Sequence, residues 1–116
     1  VDEGAVSSLR AAFGRLAQEI ERDPETVLRH GALIRATPAL QLRRIQRQAA
    51  LEAGIAPLLA ERFGAGGGTD LRPALLVACA FSAFRIAMLA WMQDGGAGSL
   101  TALVDDALGQ LSAGFA

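Results

Sequence analysis

The side chains on which most enzymes and metal sites depend are scarce in this sequence. The chain of 116 residues has one histidine, His30, and one cysteine, Cys79, and all 11 of its basic residues are arginine. A structural zinc site normally takes four Cys or His ligands, and P-loops, Schiff bases and Ser-Lys pairs need a lysine. We therefore expect no enzyme, no metal site and no cofactor. The single thiol fits a reducing, cytoplasmic environment.

Two further candidates for chemistry have simpler structural explanations. The glycine-rich segment 64–68 could suggest a phosphate loop, but it follows a predicted helix instead of a strand, so we interpret it as a linker. His30 is expected at the surface or in helix packing, with a ligand contact as the alternative. Cys79 has no evident cation or second thiol to activate it, and we expect a small buried residue.

Binding chemistry is concentrated in one apolar segment. Phe81, Phe84, Met88 and Trp91 share one surface at helical spacing, and Arg85 lies next to them. These aromatic and thioether groups could fill a core or line an apolar pocket. Arg85 could pair with a carboxylate or anchor the anionic head of a ligand. The carboxylates considered for such a pair are Glu19, Glu52, Asp105 and Asp106.

The binding hypothesis places an elongated apolar or amphipathic ligand inside a helical bundle. Leu42 and Ile45 would lie opposite the aromatic surface. The predicted ligand pocket consists of Leu42, Ile45, Phe81, Phe84, Arg85, Met88 and Trp91.

The elements that must position these residues are helices. Ala (24 residues) and Leu (17) exceed a third of the chain, which also has only four Pro and no Tyr. Apolar residues recur at helical spacing between glycine and proline breaks. The sequence predicts an all-α, five-helix bundle with helices at about 5–22, 24–36, 38–63, 70–94 and 99–114, forming a single domain.

Capping residues mark most of these boundaries. Asp23 should cap the second helix with Pro24 in its first position, the pair 37–38 should open the third, Thr69 or Asp70 the fourth, and Ser99 the fifth. We expect Gly64 to end the third helix. Inside that helix, Pro57 predicts a kink between Ala53 and Pro57 instead of a break.

The fourth helix is apolar enough that a membrane span must be considered. Its stretch 74–92 has only Ser82 and Arg85 as polar interruptions, yet much of it is alanine and Arg85 lies near its middle. We expect a central helix of a soluble bundle, with no membrane. Five helices cannot cover all of its apolar surfaces, so a second subunit should.

The fifth helix carries an apolar stripe too wide for one neighbour. We therefore predict a homodimer through the fourth and fifth helices. The predicted interface residues are Leu100, Leu103, Val104, Ala107, Leu108 and Leu111.

Net charge gives this chain no general attraction to polyanions, because the formal charge is −1 and the pI about 5.8. The segment 26–51 lacks acids and holds five arginines, interpreted as a solvated face or as a docking surface for another domain. Those arginines are Arg29, Arg35, Arg43, Arg44 and Arg47.

The order and spacing of several short motifs resemble a known family. They are ATPAL at 36–40, LLAERFG at 58–64, DLR at 70–72, FRIA at 84–87 followed by Trp91, DGG at 94–96, and the closing run 100–115. The pattern resembles the C-terminal regulatory domain of TetR-family transcriptional regulators from actinobacteria-like genomes. It is most similar to the subgroup of the mycofactocin-cluster regulator.

This resemblance implies a domain that binds an effector and dimerises, in a bacterial, cytoplasmic regulator. The family's N-terminal helix-turn-helix domain is absent from this chain, so DNA would be bound only through that domain of the parent protein. Effector binding would alter the spacing of two DNA-reading heads. A stand-alone helical dimerisation or adaptor module and a carrier of small apolar ligands remain alternatives. A filled core would favour the module and a cavity the carrier.

Overall fold

A computed structural model describes residues 3–62 and 70–115 of the chain. Five helices account for nearly all of them: α1 (Glu3–Glu21), α2 (Pro24–Ala36), α3 (Pro38–Arg62), α4 (Arg72–Gln93) and α5 (Leu100–Phe115). These bounds agree with the predicted helices to within two residues at each end, and the all-α prediction is confirmed.

Local capping explains where α2 and α3 begin. The Asp23 carboxylate accepts the backbone N–H of Thr26 at 3.3 Å and its hydroxyl at 2.7 Å, and Pro24 occupies the first turn. These bonds favour the ionised form and lower the pKa of Asp23. The Thr37 N–H then donates to the Ile34 carbonyl at 3.2 Å and closes α2. Pro38 opens α3 immediately afterwards, as predicted.

The starts of α4 and α5 differ in how closely they follow prediction. Ser99 caps α5 as predicted, its Oγ accepting the N–H of Ala102 at 3.1 Å. At α4 the cap position is Leu71, which makes no side-chain cap bond. Asp70 lies one residue earlier, and its carboxylate makes the predicted capping bond by accepting the N–H of Arg72 at 3.0 Å. Thr69, Gly64 and the loop 64–68 lie outside the described residues.

Helix α3 continues through Pro57 without a break. The kink near Ala53 remains a prediction, since helix continuity alone does not measure a bend.

The larger of two core clusters joins α1, α4 and α5. Phe13 lies edge-on to Phe81, with ring centroids 5.2 Å apart, and also packs on Phe84 at 5.1 Å. Trp91 is 1% exposed and its indole N–H donates to the Gly98 carbonyl at 3.0 Å. The buried members of this cluster are Phe13, Ala17, Ala80, Ala83, Ala87, Trp91, Leu100, Val104 and Leu108.

The second cluster fixes the C-terminal half of α3 against α4. Leu59 packs with Leu76 and Val77, supported by Ile55 and Ala56. Leu59 is the one buried residue of α3.

Helix α4 lies between α3 and α5 and also touches α1. By length and composition it could cross a membrane, with a mean hydropathy of 1.9 over its most apolar window. Central helices of soluble bundles have the same composition, and α4 buries seven of its residues, Pro73 and Trp91 among them, against other helices.

Candidate interface on helices α4 and α5

An apolar surface on α4 and α5 is left without a neighbour in the chain. A groove of about 570 Å³ runs between the two helices on the side away from α1. Ile86 is 59% exposed there and Leu103 37%. We call this surface the α4–α5 face; it comprises Ala78, Cys79, Ser82, Ile86 and Ala90 of α4 and Leu103, Asp106, Ala107, Gln110 and Leu111 of α5.

The apolar surface extends along α4 beyond the groove. Leu71 is 67% exposed and Leu75 51%, and both fall on the same side of α4 as Ile86 at multiples of about one helical turn. Exposed leucines that follow one helix side form a contiguous patch, which on a soluble protein marks an interaction site.

The structure divides the predicted interface residues of α5 into two groups. Leu100, Val104 and Leu108 are at most 4% exposed and belong to the core cluster. Their side chains face α1 and α4. The apolar stripe in the sequence does not distinguish these inward-facing residues from those on the outer side of α5. Leu103, Ala107 and Leu111 line the groove and remain candidates.

Two adjacent aspartates of α5 have different surroundings. Asp105 accepts the Arg10 Nε–H at 2.8 Å and ties α5 to α1. This hydrogen bond and the guanidinium charge lower the pKa of Asp105. Asp106 lies on the α4–α5 face, where its only side-chain partner among the described residues is Gln110, one turn along at 3.0 Å.

Arg85 is exposed on α4 and has no ion pair or hydrogen bond to the described residues. The four carboxylates considered for it have other partners: Glu19 meets Arg22, Glu52 accepts from Gln48, and the two α5 aspartates bond as above. Arg85 therefore forms no structural ion pair within residues 3–62 and 70–115.

The predicted pocket residues fall into three environments. Phe81, Phe84 and Met88 are partly buried against the larger cluster, whereas Trp91 is fully buried. Arg85 is exposed. On α3, Leu42 is 55% exposed and Ile45 53%.

The two halves of α3 pack differently. Its C-terminal half joins the second cluster through Ile55, Ala56 and Leu59, whereas none of the residues 38–54 enters either core cluster. Leu42 and Ile45 lie in that first half.

Sequence reasoning missed several residues of the α4–α5 face. Ile86 is not among the residues predicted for the interface, and Asp106 is predicted only as a partner for Arg85. Cys79 is partly exposed in the groove instead of buried. The signal for Ile86 was its spacing with Leu71 and Leu75 along one helix side. His30 is exposed on α2.

Comparison with known proteins identifies the whole domain. The family model described as the MftR C-terminal domain matches residues 3–116. Neither a curated protein nor a solved structure matches the chain.

Proposed function

Because the chain belongs to the MftR C-terminal domain family of TetR regulators, we propose that it is the effector-binding and dimerisation domain of such a regulator. TetR C-terminal domains belong to transcription regulators, which are generally soluble cytoplasmic proteins and not enzymes. They generally dimerise and bind small effectors.

The observation that carries the dimer proposal is the uncovered α4–α5 face. The chain exposes 7163 Å², compared with roughly 6000 Å² for an ordinary monomer of 12.1 kDa. Its radius of gyration of 15.1 Å also exceeds the roughly 13 Å expected for this length. This surplus of about 1000 Å² over the whole chain, to which exposed leucines of α2 and α3 also contribute, is of the size that each partner buries in a stable complex.

The dimer is tested by placing a charge on this face. Ile86→Glu and Leu103→Glu change exposed residues, so the monomer should stay helical while the apolar contact is lost. Leu33→Glu on α2 is the matched control, since Leu33 is 56% exposed and lies off the face. Sedimentation should show a dimer for the wild type and the control, and a monomer for the other two. A dimer in all four proteins would reject the α4–α5 face as the interface.

For the effector, the proposed site lies between the first half of α3 and α4. Leu42 and Ile45 supply apolar side chains that have no place in the core, and Phe81, Phe84 and Met88 of α4 are only partly buried. Flexible thioether and flat aromatic groups suit variable apolar guests. An elongated apolar or amphipathic molecule fits this arrangement.

Ligand binding can be measured with a long-chain fatty acid and the corresponding fatty alcohol as probes. A bound ligand should raise Tm by mass action and perturb the fluorescence of Trp91, the single tryptophan. Ile45→Gln should weaken the binding of both probes. Leu16→Gln on α1, where Leu16 is 46% exposed, should weaken the binding of neither. Equal losses in both variants would place the site elsewhere.

Control of DNA binding would follow from coupling between this effector site and the N-terminal helix-turn-helix domain of the parent regulator. An effector that binds one bundle conformation better than another shifts the spacing of two DNA-reading heads. In the full-length regulator, the probe that raises Tm should weaken operator binding. An unchanged operator affinity at saturating probe would remove effector control from the proposal.

A further inference from the structure

We propose that the α4–α5 face pairs with a second copy of this chain about a two-fold axis that runs along the helices, so that Arg85 of each subunit pairs with Asp106 of the partner subunit. This inference rests on the dimer proposed above. It adds the orientation of the two copies and the charged contact that selects it.

The position of Arg85 on α4 follows from helix geometry. Ala83 and Ala87 are buried on the side of α4 that meets α5. Arg85 is two residues from each of them, which places it about 180° around the helix. It therefore borders the exposed side of α4 at the edge farthest from α5.

Asp106 occupies the equivalent edge of α5. Val104 and Leu108 point into the core, and Asp106 is two residues from each, so its carboxylate lies on the outward side. The single contact of this carboxylate, with Gln110 on its own helix, leaves its second oxygen free for another donor.

The two residues also lie at a similar height. Helices α4 and α5 are joined by the short connection 94–99 and pack side by side, so they run antiparallel. Arg85 lies roughly two turns before the end of α4, and Asp106 roughly two turns after the start of α5.

The direction of the two-fold axis determines which helices of the two copies come into contact. An axis along the helices places α4 over α5 of the second copy, edge on edge at equal height, and brings each Arg85 over Asp106 of the partner subunit. An axis across the helices places α4 over α4 instead, so that Arg85 of one subunit no longer lies over Asp106 of the other. Covering a guanidinium and a carboxylate without pairing them is unfavourable, so the charges favour the first axis.

The experiment exchanges the charges between two chains. In Arg85→Glu homodimers, two carboxylates would face each other at both contacts, and in Asp106→Arg homodimers two guanidiniums would. When the two variants are mixed, every contact in the heterodimer joins opposite charges. We expect both homodimers to be weakened and the mixture to form heterodimer in about tenfold excess over random pairing. The variants differ in mass, so native mass spectrometry resolves the three dimers.

Matched controls carry the same charge changes away from the face. Arg43 and Glu61 on α3 are both exposed. When the Arg43→Glu and Glu61→Arg variants are mixed, their chains should pair at random. A neutral double-mutant cycle of Arg85→Gln and Asp106→Asn provides a second measurement, in which the two losses of dimer affinity should not add.

The outcomes separate this inference from the dimer itself. Random mixing of the charge variants, together with additive neutral losses, would overturn the Arg85–Asp106 contact even where Ile86→Glu still abolishes the dimer. A dimer that survives Ile86→Glu would instead overturn the interface, and this contact with it.

Discussion

The inner and outer sides of α5 carry similar residues in different surroundings. On the inner side, Val104 and Leu108 close the core between α1 and α4, and on the outer side Leu103 and Ala107 line an open groove. The same division separates Asp105, which is tied to Arg10, from Asp106, which is not. An apolar stripe on a helix therefore does not say whether its partner is the same chain or another.

The largest expected difference between the two sides is a matched pair of charge insertions. Leu108→Glu buries a carboxylate without a partner at a position that is 4% exposed, at a cost of several kcal/mol, comparable to the whole stability of a small domain. Leu103→Glu places the same carboxylate at a position that is 37% exposed. Circular dichroism should show loss of helix for Leu108→Glu and retained helix with loss of the dimer for Leu103→Glu. Equal unfolding of both would abolish the distinction between the sides.

A smaller effect is expected at the turn that leads into α5. Gly96 has φ +72°, and a Cβ there would lie 3.2 Å from the Trp91 ring and 3.3 Å from Pro24. Gly95 has φ +67° with open space around it. Gly95→Ala should therefore cost only the backbone strain of about 1 kcal/mol, and Gly96→Ala about 1 to 3 kcal/mol.

Thermal unfolding checks this pair, with Tm expected to fall by roughly 5 to 15 °C for Gly96→Ala and by less for Gly95→Ala. Both variants should remain dimeric, because Gly95 and Gly96 lie outside the α4–α5 face. A larger loss for Gly95→Ala would mean that the fit of Trp91 against the turn contributes little.

The smallest expected effect is the acid dependence of stability that the pair of Asp105 with Arg10 contributes. The pKa of Asp105 is lowered in the folded chain from its ordinary value of 3.8, so its pair with Arg10 stabilises fully above about pH 4. That contribution is lost as the pH falls through the lowered pKa. Asp105→Asn should remove this part of the acid dependence of unfolding, measured in urea between pH 5 and about 2. An acid dependence that is unchanged in Asp105→Asn would contradict a contribution from this pair.

The helices were predictable from the sequence because their signals are local. Helix starts are specified by Asp23, with Pro24, and by Ser99, through hydrogen bonds that span three residues. The helical spacing of apolar residues indicates the length of each helix. Asp70 acts in the same way at α4, where its carboxylate accepts the N–H of Arg72 although the cap position falls on Leu71.

Long-range packing was less predictable. Periodicity showed that α5 has too much apolar surface for one neighbour but could not assign Leu108 inward and Leu103 outward, since this depends on where α1 crosses. The exposure of Leu42 and Ile45 follows from the way α3 packs on α4 through its C-terminal half alone, which no local signal reports.

Cys79 offers the most direct measurement of whether a second copy covers the α4–α5 face. It is the single thiol of the chain and lies partly exposed in the groove. Its rate of alkylation should fall as protein concentration rises through the range where sedimentation shows the dimer forming. In monomeric Ile86→Glu the thiol should react rapidly at every concentration. A dimer whose thiol reacts as fast as that of the Ile86→Glu monomer would contradict the account, because the two copies would then meet elsewhere.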